Sequence, residues 1–240
     1  MKTFYSPRFT TGVIGYPMLF FILIWLVFWA EIRFGLNLKI FGIYPRKIQG
    51  LIGVFSSVFV HSSLSHLYQN SIPLLVLSVA LFYFYKPLSW RIILLGIVFS
   101  GFLTWCIGEN GYHIGSSGLI YVLMSFLLFK GLLSNHKRLI ALSLVVVFIY
   151  GGMIWYIFPV KEKMSWEGHL SGFVVGLLFA LLFKSHKLNS ESFDWESENY
   201  DQSQDLFLKQ FDEDGNFIDQ DDLNNSIDNT TINYDYKSEN

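Results

Sequence analysis

The sequence predicts an all-α, polytopic membrane protein with six transmembrane helices, the fourth of them short, followed by an acidic tail. Of its 240 residues, 52% are hydrophobic and 18% aromatic, which is more apolar surface than a soluble domain buries. Several apolar stretches approach the length of about 20 residues that a helix needs to cross a bilayer. Charge also divides the chain, because residues 1–185 carry 14 Lys and Arg against 4 Asp and Glu, whereas residues 186–240 carry 3 against 15.

The N-terminal part predicts a short cytoplasmic segment, residues 1–12, and a first helix over residues 13–32. Lys2 and Arg8 make this start basic. The apolar run lacks a small-residue cleavage signature, so we expect a retained span and not a removed signal peptide.

Residues 34–60 predict a long first loop that does not cross the membrane. Its apolar piece, Leu51 to Val60, is too short to span, so we expect it to lie in the interface or to dip partway into the bilayer.

The remaining apolar segments complete a six-helix domain over residues 13–185. The predicted helices cover residues 66–85, 90–108, 117–130, 139–159 and 168–184. The fourth is only about 20 Å long from Ser117 to Lys130 at a rise of about 1.5 Å per residue. Irregular backbone must therefore continue above Ser117 inside the membrane, where it is tolerated only beside protein or a water-filled cavity.

The distribution of Lys and Arg favours both termini on the inner side. With the N-terminus inside, nine basic residues lie on the inner side and six on the outer, and four of those six lie in the long first loop or, as Arg33, directly before it. We expect an integral, multi-pass protein of a bacterial inner (cytoplasmic) membrane with both termini in the cytoplasm.

Residues 186–240 predict a disordered, solvated cytoplasmic tail, because they are acidic and poor in apolar periodicity. An alternative is that scattered apolar residues anchor a partner, which the sequence does not identify. These residues are Phe193, Trp195, Leu206, Phe211 and Phe217.

Helix lengths place several polar residues at one depth. The second, fourth and sixth helices run in the same direction, and each ends at a basic residue on the inner side. Ser117, His169 and Asn70 lie about 20, 22 and 24 Å from these residues, and His66 lies one turn further out. Because an unpaired polar group in hydrocarbon costs several kcal/mol, these side chains require partners.

The residue types of this layer suggest nucleophilic chemistry. A serine hydroxyl is a weak nucleophile until a base takes its proton, and histidine titrates in a suitable range. Ser117 opens a helix, so its backbone N–H can face a developing negative oxygen. His66 and Asn70 offer further donors of the kind that form oxyanion holes.

Small residues and one tyrosine support this arrangement. Gly115 and Gly118 flank the serines and permit a sharp turn and a close backbone approach. A glycine stripe lets the sixth helix press against the fourth, and it consists of Gly168, Gly172 and Gly176. Tyr121 lies on the face of Ser117 and is expected to pack against the imidazole of His169.

Three separated motifs, in this order, resemble those of the rhomboid family of intramembrane serine proteases, and the resemblance covers most of residues 10–185. The first runs from His61 to Asn70 and includes His66. The second is Gly115-Ser116-Ser117-Gly118 with Tyr121, and the third is His169 with Gly172. The family pattern is the sole reason to prefer Ser117 to its neighbour Ser116.

The resemblance implies an intramembrane serine endopeptidase that cleaves transmembrane segments of other membrane proteins without a metal or cofactor. Ser117 would be the nucleophile and His169 the general base, while His66, Asn70 and the Ser117 backbone would hold the oxyanion and Tyr121 would orient the histidine. The expected partners are membrane-protein substrates and the lipid bilayer, with no nucleic acid.

The chain departs from the family pattern in three places. Gly168 replaces a common alanine, Tyr44-Pro45-Arg46 replaces a Trp-Arg pair in the first loop, and the acidic tail lies outside the resemblance.

Other functions fit the sequence less well. A zinc protease is disfavoured because His-Glu-x-x-His is missing, and the single Cys106 excludes an intrachain disulfide. A small-solute transporter is disfavoured because the chain shows no inverted repeat and one polar layer. The main alternative is a catalytically inactive rhomboid-like factor that binds membrane proteins or serves their quality control.

Overall fold

The computed structural model describes residues 7–160, 164–184, 200–212 and 214–218. The chain divides into two compact units, Met1–Asn189 and Ser190–Asn240. The α-helices of the first unit are α1 Thr11–Phe34, α2 Gly53–Ser56, α3 Leu64–Phe84, α4 Ser89–Ile107, α5 Ser117–Leu132, α6 Lys137–Tyr150 and α7 Trp166–Leu182.

The predicted all-α, polytopic bundle is confirmed. Within the described ranges the chain forms no β-strand, and helices dominate the first unit. Four helical stretches there are long and apolar enough to cross a membrane, namely Thr11–Phe34, Leu64–Phe84, Ser89–Ile107 and Lys137–Ile157. The predicted fourth helix is short as expected, since α5 has 16 residues, and α7 has only 17.

The helices α3 and α7 begin two residues earlier than predicted because a serine caps each of them. Ser63 Oγ accepts a hydrogen bond from the backbone N–H of His66 at 3.1 Å. Ser165 Oγ accepts one from the N–H of Gly168 at 3.3 Å. Side-chain acceptors of this kind satisfy N–H groups that have no partner within the first turn of a helix.

The predicted fifth helix, 139–159, is wrong at its end. The α-helix α6 stops at Tyr150, and a 3₁₀ segment, Gly151–Ile157, continues the chain. Two consecutive glycines, Gly151 and Gly152, begin this segment, and glycine is about 1 kcal/mol less favourable than alanine inside an α-helix. The change of helix type brings backbone carbonyls of this segment to the site described below.

The long first loop contains no helix long enough to cross a membrane, as predicted. It contains α2 and three 3₁₀ turns, Leu38–Phe41, Ile48–Leu51 and Ser57–Phe59. Arg46 fixes this loop to the C-terminal end of α4, because its guanidinium donates to the carbonyls of Gly108 at 2.8 Å and Cys106 at 3.3 Å. A cation suits a helix C-terminus, where carbonyls lack N–H partners.

The helix α5 lies at the centre of the bundle. All residues from Leu119 to Leu127 are buried, and the helix packs against α3, α4, α6 and α7. A helix that is apolar all round belongs in the middle of a membrane bundle. By contrast, α1 and α6 leave most of their apolar residues exposed, as expected of surfaces that face lipid. Ser117 therefore opens the most enclosed helix of the bundle.

The second unit contains two short 3₁₀ turns in its described part, Gln202–Gln204 and Leu208–Gln210. The ring of Phe211 contacts those of Phe207 and Phe217 there. Of the apolar residues that sequence analysis offered as anchors, Phe193 and Trp195 lie outside the described residues. The predicted disorder of the tail stays a prediction.

Candidate active site

A cavity of ≈ 640 Å³ brings together the polar residues that the sequence placed at one depth. Its lining includes Ser117 from α5, His169 from α7, His66 and Asn70 from α3, and Tyr121 one turn below Ser117. Three helices that are far apart in sequence thus contribute to one space. The further lining of the same cavity includes Ser62, His113, Met153, Tyr156 and Ser165.

The two neighbouring serines differ in access to this cavity. Ser116 is fully buried, its hydroxyl has no hydrogen-bond partner within the described structure, and it does not line the cavity. Ser117 is partly exposed and does line it. A reagent or substrate in the cavity therefore meets the hydroxyl of Ser117, so accessibility supports the preference that the sequence based on the family pattern alone.

His169 is held by a backbone carbonyl and an aromatic ring. Its Nδ1 lies 2.9 Å from the carbonyl oxygen of Tyr156. Because a carbonyl can only accept, Nδ1 carries a proton, which leaves Nε2 of the neutral ring as an acceptor. The ring stacks on Tyr121 with centroids 4.4 Å apart and planes 15° apart. The hydroxyl of Tyr121 donates to the carbonyl of Met153 at 2.7 Å, which fixes the stacking partner.

His66 and Asn70 sit one turn apart on α3. The amide Nδ2 of Asn70 donates one hydrogen to the carbonyl of His66 at 2.9 Å. An amide nitrogen has two hydrogens, so the second can donate to another group. Nδ1 of His66 lies 3.2 Å from the hydroxyl of Ser62. When that hydroxyl donates, Nε2 of the neutral imidazole is a donor. Both side chains can therefore offer N–H groups to the cavity.

Gly115 turns the chain from the preceding loop into α5. Its φ of 108° is rarely adopted by residues with a side chain. A Cβ atom at this position would lie 2.7 Å from both Cε1 and Nε2 of His66 and 3.7 Å from Nδ2 of Asn70. The glycine is therefore required both by the backbone conformation and by the close approach of the two α3 side chains.

The crossing of α5 and α7 depends on Gly172. A Cβ atom on Gly172 would overlap the carbonyl oxygen of Gly118 and lie 2.9 Å from Cβ of Tyr121. Gly118 differs from expectation, because its own Cβ would make only ordinary contacts, at 3.6 Å, with the Gly168 carbonyl oxygen and the Ser100 hydroxyl. Gly118 thus contributes its backbone to the crossing, whereas the missing side chain matters at Gly172.

A polar network at the wall of the cavity was not predicted from the sequence. His113 Nδ1 lies 2.5 Å from the hydroxyl of Ser165, and the buried carboxylate of Glu167 accepts the backbone N–H of Glu109 at 2.9 Å. The partners are 52 and 58 residues apart, so no spacing rule reveals them. The sequence offers one indication of this network, which is that a polar residue, His113, lies two residues before Gly115.

The family model described as Rhomboid domain matches residues 49–186, more than half of the chain, and this range includes every polar residue of the cavity named above. The chain belongs to the rhomboid family. As a rhomboid-family protein with several apolar helices of spanning length, it is an integral membrane protein.

Relatives of this rhomboid occur in bacteria and in an animal. An uncharacterized protein of Mycobacterium tuberculosis is 36% identical over 201 residues, which cover 77% of this chain and 80% of the relative. An uncharacterized protein of Mycobacterium leprae is 34% identical over 160 residues, 60% of this chain and 61% of the relative. Rhomboid-related protein 1 of Caenorhabditis elegans is 30% identical over 149 residues, 57% of this chain and 41% of that protein.

Proposed function

We propose that this rhomboid is an intramembrane serine endopeptidase that cleaves other membrane proteins in or near their transmembrane segments. Ser117 would be the nucleophile and His169 the general base. The observation that carries the proposal is that an accessible serine and a histidine with a fixed tautomer line one cavity at the start of the most enclosed helix.

The tautomer of His169 suits a base that works without a carboxylate. In a catalytic triad an acidic residue holds Nδ1–H so that Nε2 can take the proton of the serine. Here the carbonyl of Tyr156 accepts from Nδ1, and the stack on Tyr121 restricts rotation of the ring. The protein thus orients its base with a backbone acceptor and an aromatic surface. A neutral acceptor stabilises the imidazolium less than a carboxylate, so His169 relies more on position than on basicity.

The oxyanion would be stabilised by donors from two helices. As the first residue of α5, Ser117 presents a backbone N–H without an intrahelical partner at the positive end of the helix dipole. His66 and Asn70 line the same cavity and would add an imidazole N–H and the second amide hydrogen as donors. A single preorganised donor of this type contributes about 3–4 kcal/mol to stabilisation of a transition state.

The substrate would be the unfolded or loosened part of another protein's transmembrane segment. A continuous helix buries its peptide bonds in its own hydrogen bonds and side chains, so residues that destabilise the helix near the cleaved bond should speed cleavage. We also propose that both termini lie in the cytoplasm of a bacterial inner membrane and that the cavity opens toward the outer side, which the inner excess of Lys and Arg supports.

Cleavage of a purified transmembrane reporter protein in detergent and in liposomes tests the activity. Ser117→Ala and His169→Ala are each expected to abolish cleavage, because each removes one member of a unit that acts together. Ser116→Ala is the matched control, since this buried neighbour does not line the cavity, and it is expected to retain most activity. Full activity of Ser117→Ala would refute the assignment. Absence of cleavage by the folded wild type of every helix-destabilised reporter would favour the inactive, membrane-protein-binding alternative.

The orientation has its own test. In a Cys106→Ala background, a cysteine at Lys39 in the first loop should react with an impermeant maleimide added to intact cells. A cysteine at Lys137, at the start of α6, should react only after permeabilisation. The reverse pattern would contradict the proposed orientation.

A further inference from the structure

The loop between α4 and α5 carries a histidine whose two ring nitrogens both have partners. His113 Nε2 lies 2.9 Å from the carbonyl oxygen of Glu109, and Nδ1 lies 2.5 Å from the hydroxyl of Ser165. Because the carbonyl only accepts, Nε2 carries the proton of the neutral ring, and Nδ1 accepts the hydroxyl hydrogen of Ser165. The tautomer of His113 is thus opposite to that of His169.

Ser165 connects this histidine to the helix that carries His169. Its oxygen accepts the N–H of Gly168 at 3.3 Å as the cap of α7, while its hydrogen is directed at His113. Gly168 immediately precedes His169, and His113 lies four residues before Ser117. The hydroxyl of Ser165 therefore links the loop that leads to Ser117 with the first turn of α7, which carries His169.

Two further contacts hold the same loop. The carboxylate of Glu167 accepts the backbone N–H of Glu109 at 2.9 Å, which makes a second link between the loop and α7. The backbone of His113 pairs with that of Ile43, with hydrogen bonds of 2.9 and 2.8 Å in the two directions. With its backbone held in this way, the His113 side chain needs little additional ordering to reach Ser165.

We propose that His113 and Ser165 are positioning residues that set the distance and orientation between Ser117 and His169. The inference rests on the proposed serine protease function. The two catalytic side chains belong to α5 and α7, which pack closely at Gly118 and Gly172 near the end of the helices that bears them. A displacement of about 1 Å there costs on the order of 100-fold in rate. Neither His113 nor Ser165 belongs to the three motifs that carry the family resemblance.

Variants at Ser165 separate this role from helix capping. Ser165→Gly removes the hydroxyl, but glycine at an N-cap costs a helix only a few tenths of a kcal/mol. Ser165→Thr keeps both the cap and the hydroxyl. We expect the Gly variant to lower kcat for cleavage by about tenfold to a hundredfold, with KM and the thermal unfolding midpoint nearly unchanged, and we expect the Thr variant to restore the rate.

Variants at His113 separate its two hydrogen bonds. In His113→Asn the amide oxygen can take the place of Nδ1 and accept from Ser165. In His113→Gln the amide nitrogen can take the place of Nε2 and donate to Glu109. We expect the Asn variant to retain more kcat than the Gln variant. The double variant His113→Gln, Ser165→Gly should be no slower than the slower single variant, because both changes remove one interaction.

The controls are His136→Ala and Ser134→Ala, a histidine and a serine in the turn between α5 and α6, outside the cavity. Wild-type kcat in both Ser165→Gly and His113→Gln would overturn the inference. A loss of kcat that is accompanied by a lower unfolding midpoint and is not restored by Ser165→Thr would also overturn it, because this result indicates a structural role.

Nitrogen-15 NMR of histidine-labelled protein keeps this inference distinct from the proposed activity. The spectrum should show His113 protonated at Nε2, with an Nδ1 signal that moves in Ser165→Gly. Protonation at Nδ1 would overturn the positioning role while leaving the protease proposal intact. A wild type with the expected spectrum but without cleavage would refute the protease function, and with it the catalytic effect of the pair.

Discussion

Gly172→Ala is expected to separate α5 and α7, the helices that carry Ser117 and His169. The added Cβ would overlap the carbonyl oxygen of Gly118 and would lie 2.9 Å from Cβ of Tyr121, whereas ordinary contact begins at 3.4 Å. These neighbours are a backbone atom and the root of a buried side chain, so neither can rotate away. The helices α5 and α7 must therefore move apart by several tenths of an ångström or more. Overpacking of this kind costs about 1–3 kcal/mol.

The same movement should also reduce catalysis. Gly118 follows Ser117, and Gly172 lies three residues after His169, so separating the helices at this crossing carries the serine away from the base. With a displacement approaching 1 Å, kcat should fall by about 100-fold. Cleavage kinetics and thermal unfolding of the purified variant measure the two effects.

Two alanine variants serve as controls for this prediction. Gly118→Ala lies at the same crossing but makes only ordinary contacts at 3.6 Å, and Gly15→Ala on α1 meets no atom within 4 Å. Both are expected to unfold close to the wild-type midpoint. Wild-type activity and stability in Gly172→Ala would refute the reasoning, because the helices could then accommodate the methyl group without moving.

Three further substitutions test the site and its support. Gly115→Ala should abolish cleavage, because it places an L side chain at a φ of 108° and a Cβ 2.7 Å from the ring of His66. Wild-type cleavage kinetics in this variant would contradict the prediction. Tyr121→Phe keeps the stack on the histidine but loses the hydrogen bond to the Met153 carbonyl, so it should retain clearly more kcat than Tyr121→Ala, and equal losses would contradict the stacking role. Lys130→Met removes an ammonium that donates to two carbonyls at the end of α7, and it should lower the free energy of unfolding by about 1.5–3 kcal/mol in a denaturation assay, whereas an unchanged value would show that the contact adds nothing.

The helical type and the order of the six longer helices were predictable, because a segment that crosses a bilayer must be long and apolar. The four-residue α2 in the first loop was not predicted. The start of α7 was less predictable, since Ser165 extends it two residues beyond the expected boundary through a side-chain cap. The end of α6 was missed because hydrophobicity continues past Gly151 and Gly152 while the backbone changes to a 3₁₀ conformation. Apolar composition reports burial in lipid but not which helical hydrogen-bond pattern the backbone adopts.

The side chains that line the candidate site were predictable from the sequence. The backbone groups that orient them were not. Helix lengths placed Ser117, His169 and Asn70 at one depth and His66 one turn further out, and all four residues line one cavity. The acceptor of His169 is a carbonyl, Tyr156, and every residue has a carbonyl, so the sequence contains no sign of it. The hydrogen bond between His113 and Ser165 joins two segments that are distant in sequence. Their proximity follows only from the complete fold.

The central claim is that Ser117 is a nucleophile activated by His169, and covalent labelling tests it most directly. A fluorophosphonate reacts with an activated serine hydroxyl, and peptide mapping by mass spectrometry identifies the modified residue. The account predicts a single adduct on Ser117 in the folded wild type, with labelling lost in His169→Ala and retained in Ser116→Ala. An adduct on Ser116, or Ser117 labelling at an undiminished rate in His169→Ala, would contradict it.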